Sequence, residues 1–134
     1  MSLTALRVLL VEDNRMNAEL ARVLLELEGH EVHLVDSAAA LRRLLAAELQ
    51  PDLILLDIRL SDADGRQLVG ELRGLSRLDA VPIVAVTAHA LVGDSDKLRA
   101  AGFDGVITKP LDTRTFAAEV RGLAGARRPI ERGA

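Results

Sequence analysis

Aliphatic residues in this chain fall into two alternating patterns. Four runs, at residues 6–11, 53–56, 83–86 and 106–107, are short and mostly apolar. Between them, apolar side chains recur every three or four positions. Short apolar runs separated by helical periodicity read as buried strands of a parallel sheet. Each run ends on polar residues. The first meets Glu12-Asp13 and the second Asp57, while the third stops at Thr87 and the fourth leads through Thr108 to Lys109-Pro110.

Helices fill the intervals. The first follows Asn14, with Leu20, Val23, Leu24 and Leu27 on one face and Gly29 as its stop. Residues 32–35 make a second strand, and His33 between apolar neighbours suggests an edge strand with one polar side. A helix starting near Ser37 buries Leu41, Leu44 and Leu45; Pro51-Asp52 precedes the third strand. The third helix follows Asp64-Gly65 and carries Leu68, Leu72 and Leu75. The fourth strand begins at Pro82, where a missing amide donor is tolerated. The fourth helix lies near residues 96–101 and stops at Gly102; the fifth follows Asp112, with Phe116, Val120 and Leu123 inward. This (βα)5 pattern predicts an α/β fold, a doubly wound five-stranded parallel sheet with right-handed crossovers. From Gly125 the chain turns polar and basic, with Arg127, Arg128 and Arg132 around Pro129, and residues 125–134 read as a flexible basic tail.

Composition narrows the function. With 134 residues the chain is one domain, able to bury about two-thirds of its unfolded surface. Without cysteine, disulfide scaffolds, zinc–thiolate sites and thiol catalysis are excluded. No apolar stretch approaches the roughly 18–20 residues that cross a bilayer, and the N-terminus lacks a signal-peptide pattern, so a cytoplasmic protein is expected. A net charge of −3 gives no general attraction to nucleic acid, and two phenylalanines are too few for a base-stacking platform.

In an open α/β sheet, ligands bind outside the carboxyl ends of the strands. Three acids, a hydroxyl and a lysine therefore meet at one edge. A strand-end carboxylate can attack phosphorus and form an acyl phosphate. Clustering Glu12, Asp13 and Asp57 is costly, because like charges about 4 Å apart repel by roughly 4 kcal/mol at an effective dielectric near 20. A divalent cation removes that cost, and Mg²⁺ suits an oxygen-only set that keeps waters and accepts phosphate oxygens. Lys109 can pair with Asp57 at rest and with a phosphoryl oxygen after transfer; Thr87 and the Ala88 N–H add donors. Each residue alone has an ordinary explanation as a helix cap or turn residue. Their joint placement at successive strand ends does not.

Over residues 5–124 the chain resembles the receiver domain of two-component response regulators. The resemblance rests on Val8-Leu9-Leu10-Val11-Glu12-Asp13-Asn14, Asp57-Ile58-Arg59-Leu60 leading to Asp64-Gly65, Val86-Thr87-Ala88, and Lys109-Pro110. It implies a flavodoxin-like strand order 2-1-3-4-5 and transfer of a phosphoryl group from a phosphohistidine on a partner to Asp57. The partner would be a histidine kinase or a histidine phosphotransfer protein, and the signal would pass to a downstream effector protein by contact. It further implies that Asp13 and Asp57 ligate Mg²⁺ directly, that Glu12 acts through water and that the Arg59 carbonyl completes the protein ligands. Thr87 and Lys109 would contact the phosphoryl oxygens, with a cis bond before Pro110. Such a domain catalyses only its own phosphorylation and dephosphorylation.

Two residues depart from the family pattern. Val106 stands where an aromatic residue often follows the movement of Thr87, so a switch built on Thr87 and Val106 lacks aromatic rotation. Ser61 replaces a frequent proline, loosening the loop without touching the chemistry. Arg59 and His89 are expected to rim the approach of water to phosphorus and to set the lifetime of the phosphorylated state. His30 and His33 read as surface residues. Little chain follows Lys109-Pro110, which points to a stand-alone receiver; Asn14-Arg15-Met16-Asn17 and Thr87-Ala88-His89-Ala90-Leu91 also resemble receivers excised from hybrid histidine kinases. An aspartyl-phosphate phosphatase is the competing enzyme class, but it would carry an acid where Arg59 stands. An interaction module that keeps only the fold would not retain the acidic set.

Overall fold

The structure, a computed structural model, describes residues 5–88 and 94–125. Strands β1 (Arg7–Val11), β2 (Glu31–Val35), β3 (Leu53–Asp57), β4 (Ile83–Thr87) and β5 (Gly105–Thr108) alternate with helices α1 (Arg15–Glu26), α2 (Ala38–Ala46), α3 (Gly65–Arg73), α4 (Asp94–Ala101) and α5 (Phe116–Leu123). A 3-10 turn at Ser76–Leu78 precedes β4. All neighbouring strands pair in parallel, as the hydrophobic pattern predicts, in the order β2-β1-β3-β4-β5 that the family resemblance implies.

Successive side chains of a strand point to opposite faces, and the core divides accordingly. Leu9, Val11, Ile54, Leu56, Ile83 and Ala85 pack with Leu41, Leu68, Leu72 and Leu98, under α2, α3 and α4. On the other face, Val8, Leu10, Leu53, Leu55, Val84 and Val86 pack with Ala21, Leu25, Phe116 and Val120, under α1 and α5. The central strand β3 is buried along its whole length, which explains its unbroken apolar run.

Local chemistry fixes the helix ends. The side chains of Asn14, Ser37 and Asp64 accept the backbone N–H groups of Asn17, Ala40 and Arg66 at 2.9, 3.0 and 2.8 Å, each satisfying a donor that the first turn leaves unpaired. Gly102 ends α4 at φ +126°, a conformation that side-chain-bearing residues rarely adopt.

Four expectations need correction. The large apolar residues of α1 do not form its buried face: Leu20, Val23 and Leu27 are exposed, Leu24 is half-buried, and Ala18, Ala21 and Leu25 face inward. Small residues let the helix backbone lie close to the sheet. Leu75 lies past the end of α3 and is exposed. His30 is buried rather than on the surface, because it accepts the Leu6 N–H through Nδ1 at 3.0 Å. β2 is an edge strand, but Leu34 is exposed and His33 half-buried, so its two sides are not cleanly polar and apolar. The basic tail beyond Gly125 lies outside the described residues.

Candidate functional site

Parallel pairing carries every strand's carboxyl end to one edge of the sheet. Glu12 and Asp13 follow β1, Asp57 closes β3, Thr87 closes β4 and Lys109 follows β5. Because β1, β3, β4 and β5 are successive neighbours, and Asp57 pairs with Val86 and Thr87 with Thr108, these residues stand side by side. They line one cleft, together with Asn14, Asn17, Arg59 and Ala88.

One carboxylate oxygen from each of Glu12, Asp13 and Asp57 lies within 4.8 Å of the others. Glu12, Asp57 and Thr87 are buried, with relative exposures of 5 %, 6 % and 6 %, whereas Asp13 is exposed at the mouth. Lys109 Nζ reaches both inner acids, at 2.8 Å from Glu12 Oε1 and 3.2 Å from Asp57 Oδ2. The other Asp57 oxygen, Oδ1, accepts the Arg59 N–H at 3.1 Å. Glu12 Oε2 accepts the Asn14 N–H at 3.1 Å, so β1's exit is tied to the start of α1. The Lys109–Pro110 bond is cis, as the resemblance implies.

Electrostatics follow from crowding. Burial, reinforced by the hydrogen bond with Asp57, raises the proton affinity of Glu12 although Lys109 pulls it down. Burial alone would depress Lys109, but Glu12 and Asp57 outweigh it and hold the ammonium above its ordinary value. Lys109 thus pairs with Glu12 and Asp57 but not with Asp13, which leaves an excess of negative charge in an oxygen-only cluster of three acids. Hard divalent cations suit such a set.

Most residues singled out from the sequence converge here: Glu12, Asp13, Asp57, Arg59, Thr87, Ala88 and Lys109 all border the cleft. Val106 sits two positions before Thr108 on β5, in register with Ala85, and packs half-buried against the α2–α3–α4 side of the core. His89 lies outside the described residues. Pairing of Lys109 with Glu12, at a shorter distance than with Asp57, was not foreseen. Ser61, expected to leave the chemistry untouched, donates its N–H to Asp13 Oδ2 at 2.9 Å. No local pattern signals that contact, because 48 residues separate the partners and only the return of the loop over β1 joins them.

Comparison with known proteins agrees with this geometry. The sequence model of the response regulator receiver domain matches residues 8–121. The polar-differentiation response regulator DivK of Brucella ovis is 36% identical over 119 residues, covering 88% of this chain and 95% of that protein. The receiver domain of the sensor histidine kinase PA1611 of Pseudomonas aeruginosa, solved with a magnesium ion in its active-site cleft, superposes with a TM-score of 0.79 at 32% identity, covering 91% of this chain and 99% of that one. The chemotaxis response regulator CheY4 of Vibrio cholerae shares the fold with a TM-score of 0.82 at 23% identity, over 90% of this chain and 99% of its own. The chain belongs to the response regulator receiver domain family, the phosphoacceptor signalling domain of two-component systems.

Proposed function

We propose that Asp57 is the phosphoryl acceptor, that Glu12, Asp13, Asp57 and the Arg59 carbonyl hold Mg²⁺, and that the donor is a phosphohistidine on a histidine kinase or histidine phosphotransfer protein. The single observation that carries this reading is the Asp57 carboxylate: buried at a strand end, held by Lys109 and the Arg59 N–H, beside two further acids. When bound, Mg²⁺ neutralises the clustered acids and the incoming phosphoryl oxygens. A carboxylate oxygen of Asp57 forms the new bond to phosphorus as the P–N bond to the donor imidazole breaks, and the imidazole keeps the electron pair. Lys109 then exchanges its ion pair with Asp57 for one with a phosphoryl oxygen, and the Thr87 hydroxyl and Ala88 N–H donate to the others.

In this reading the chain catalyses only its own phosphorylation and dephosphorylation, works in the cytoplasm and passes its signal to an effector protein by contact. Thr87 is the moving part of the switch, with Val106 beneath it in place of an aromatic gate. Arg59 and His89 set the phosphorylated lifetime; Arg59 is exposed at the rim of the cleft, where a guanidinium can crowd an attacking water. A second reading, a receiver module of a hybrid histidine kinase, draws on the 32% likeness to the PA1611 receiver. Among the described residues no helix is long and apolar enough to cross a membrane.

Incubation with a radiolabelled small-molecule phosphoryl donor tests the assignment. Wild type should take up one acid-stable, hydroxylamine-labile label in the presence of Mg²⁺. Asp57→Asn, or excess chelator, should abolish it. Undiminished labelling of Asp57→Asn would refute the acceptor assignment.

A further inference from the structure

The loop after β3 is pinned at two adjacent residues. Ser61 donates its backbone N–H to Asp13 Oδ2 at 2.9 Å, across from β3 to the end of β1. Next to it, Asp62 places Oδ1 on the Ala38 N–H at 2.9 Å and Oδ2 on the Ala39 N–H at 3.1 Å, the first two amides of α2. Those amides have no partner within the helix, so a carboxylate satisfies them and also sits at the positive end of the helix dipole. The two N–H bonds hold the Asp62 carboxyl below its usual range. Asp62 is thereby docked on the start of α2, and it fixes where the Ser61 amide can lie.

From these contacts we infer that Ser61 and Asp62 act together as a positioning unit for the divalent cation: Asp62 anchors the loop on α2, and the Ser61 N–H orients the Asp13 carboxylate. The inference rests on the proposed Mg²⁺ site. Asp13 is exposed and follows the strand, so its side chain would otherwise choose among rotamers. A carboxylate has two oxygens, so one can accept the amide and leave the other for the metal. Hydrogen bonds that aim a ligating carboxylate are part of a metal site's affinity, and their loss commonly weakens binding by about 10–100-fold. Ser61 contributes only its backbone, so the identity of its side chain is immaterial provided that it is not proline.

Isothermal titration with MgCl2, paired with amide NMR of the same proteins, tests the unit. Ser61→Ala keeps the N–H and should bind Mg²⁺ like wild type. Ser61→Pro removes the N–H and should bind about tenfold more weakly. Asp62→Ala frees the loop without altering residue 61 and should also weaken binding, with Asp62→Asn, which retains an acceptor, recovering part of the loss. In wild type the Ser61 amide resonance should shift with the same midpoint as the calorimetric curve, and Asp13→Ala should displace that resonance before any metal is added. Wild-type binding together with unchanged affinity in Ser61→Pro and Asp62→Ala, both folded by circular dichroism, would overturn the positioning role alone. Absence of Mg²⁺ binding by wild type would overturn the metal site and the inference with it.

Discussion

His30 lies buried before β2, with Nδ1 accepting the Leu6 N–H and Nε2 3.3 Å from Arg121 Nη2. It joins the entries of β1 and β2 and lies beside Arg121 of α5. An imidazole that accepts at Nδ1 carries its proton on Nε2; a second proton would confront the Leu6 N–H and add a cation beside Arg121. Burial, then the charge of Arg121, hold its proton affinity below the ordinary value, against a weaker opposite pull from Glu28. The unfolded chain therefore takes up this proton first as the pH falls. Stability from His30 is complete well above about pH 6.5 and declines as the pH drops through that value. Carboxylates held low, such as Asp62 and Glu71, lose their contribution only below about pH 4.5. Glu12, with its raised affinity, acts in the opposite sense and is common to any His30 variant. The urea midpoint of wild type should fall between pH 8 and pH 5.5, and His30→Asn, which keeps an acceptor near Nδ1, should fall less. An equal fall in both proteins would remove His30 as the cause.

The first residue of helix α3, Gly65, packs against the end of β3 and has no room for a side chain. A Cβ on Gly65 would stand 2.7 Å from Ile58 Cα and 2.9 Å from Asp57 O. Both are backbone atoms, of Asp57 and its neighbour Ile58, so neither can swing aside. Gly65→Ala should cost about 1–3 kcal/mol and, by displacing Asp57, weaken Mg²⁺ binding. Gly70, exposed on the same helix, meets nothing within 4 Å; Gly70→Ala should instead stabilise by about 0.4–1 kcal/mol. Urea denaturation of the two variants checks both signs, and a Gly65→Ala midpoint equal to wild type would contradict the steric account. The elements themselves were largely legible because caps and stops are local: Asn14, Ser37, Asp64 and Gly102 mark helix ends as their chemistry suggests. The buried face of α1 was not. Periodicity locates the large apolar residues, whereas burial there went to Leu25 and to Ala18 and Ala21, whose small side chains permit close approach to the sheet.

Across the whole molecule, Thr87 and Lys109 lie at the ends of the adjacent strands β4 and β5, flanked by α4 and α5. A phosphoryl group that draws both inward would load this side of the sheet. Beryllofluoride, a phosphoryl mimic, should therefore shift amide resonances from Thr87 into residues 94–116, the α4–β5–α5 side. Changes confined to the loops around Asp13 and Asp57 would mean that the site is not coupled to that surface. NMR is the suitable probe, since the chain has neither tryptophan nor tyrosine.

By itself the sequence determined the alternation of strands and helices, the parallel sheet and the set of polar residues at its edge. These follow from periodicity, from local capping and from the rule that parallel strands send their carboxyl ends the same way. Tertiary structure decided what each polar group touches. Lys109 reaches Glu12 as well as Asp57, the Ser61 amide finds Asp13, and His30 is enclosed through Leu6. Such contacts join residues 24 to 97 positions apart in the chain (Leu6 to His30, Glu12 to Lys109). They depend on loop paths and on ångström-scale distances, which residue type and spacing do not encode.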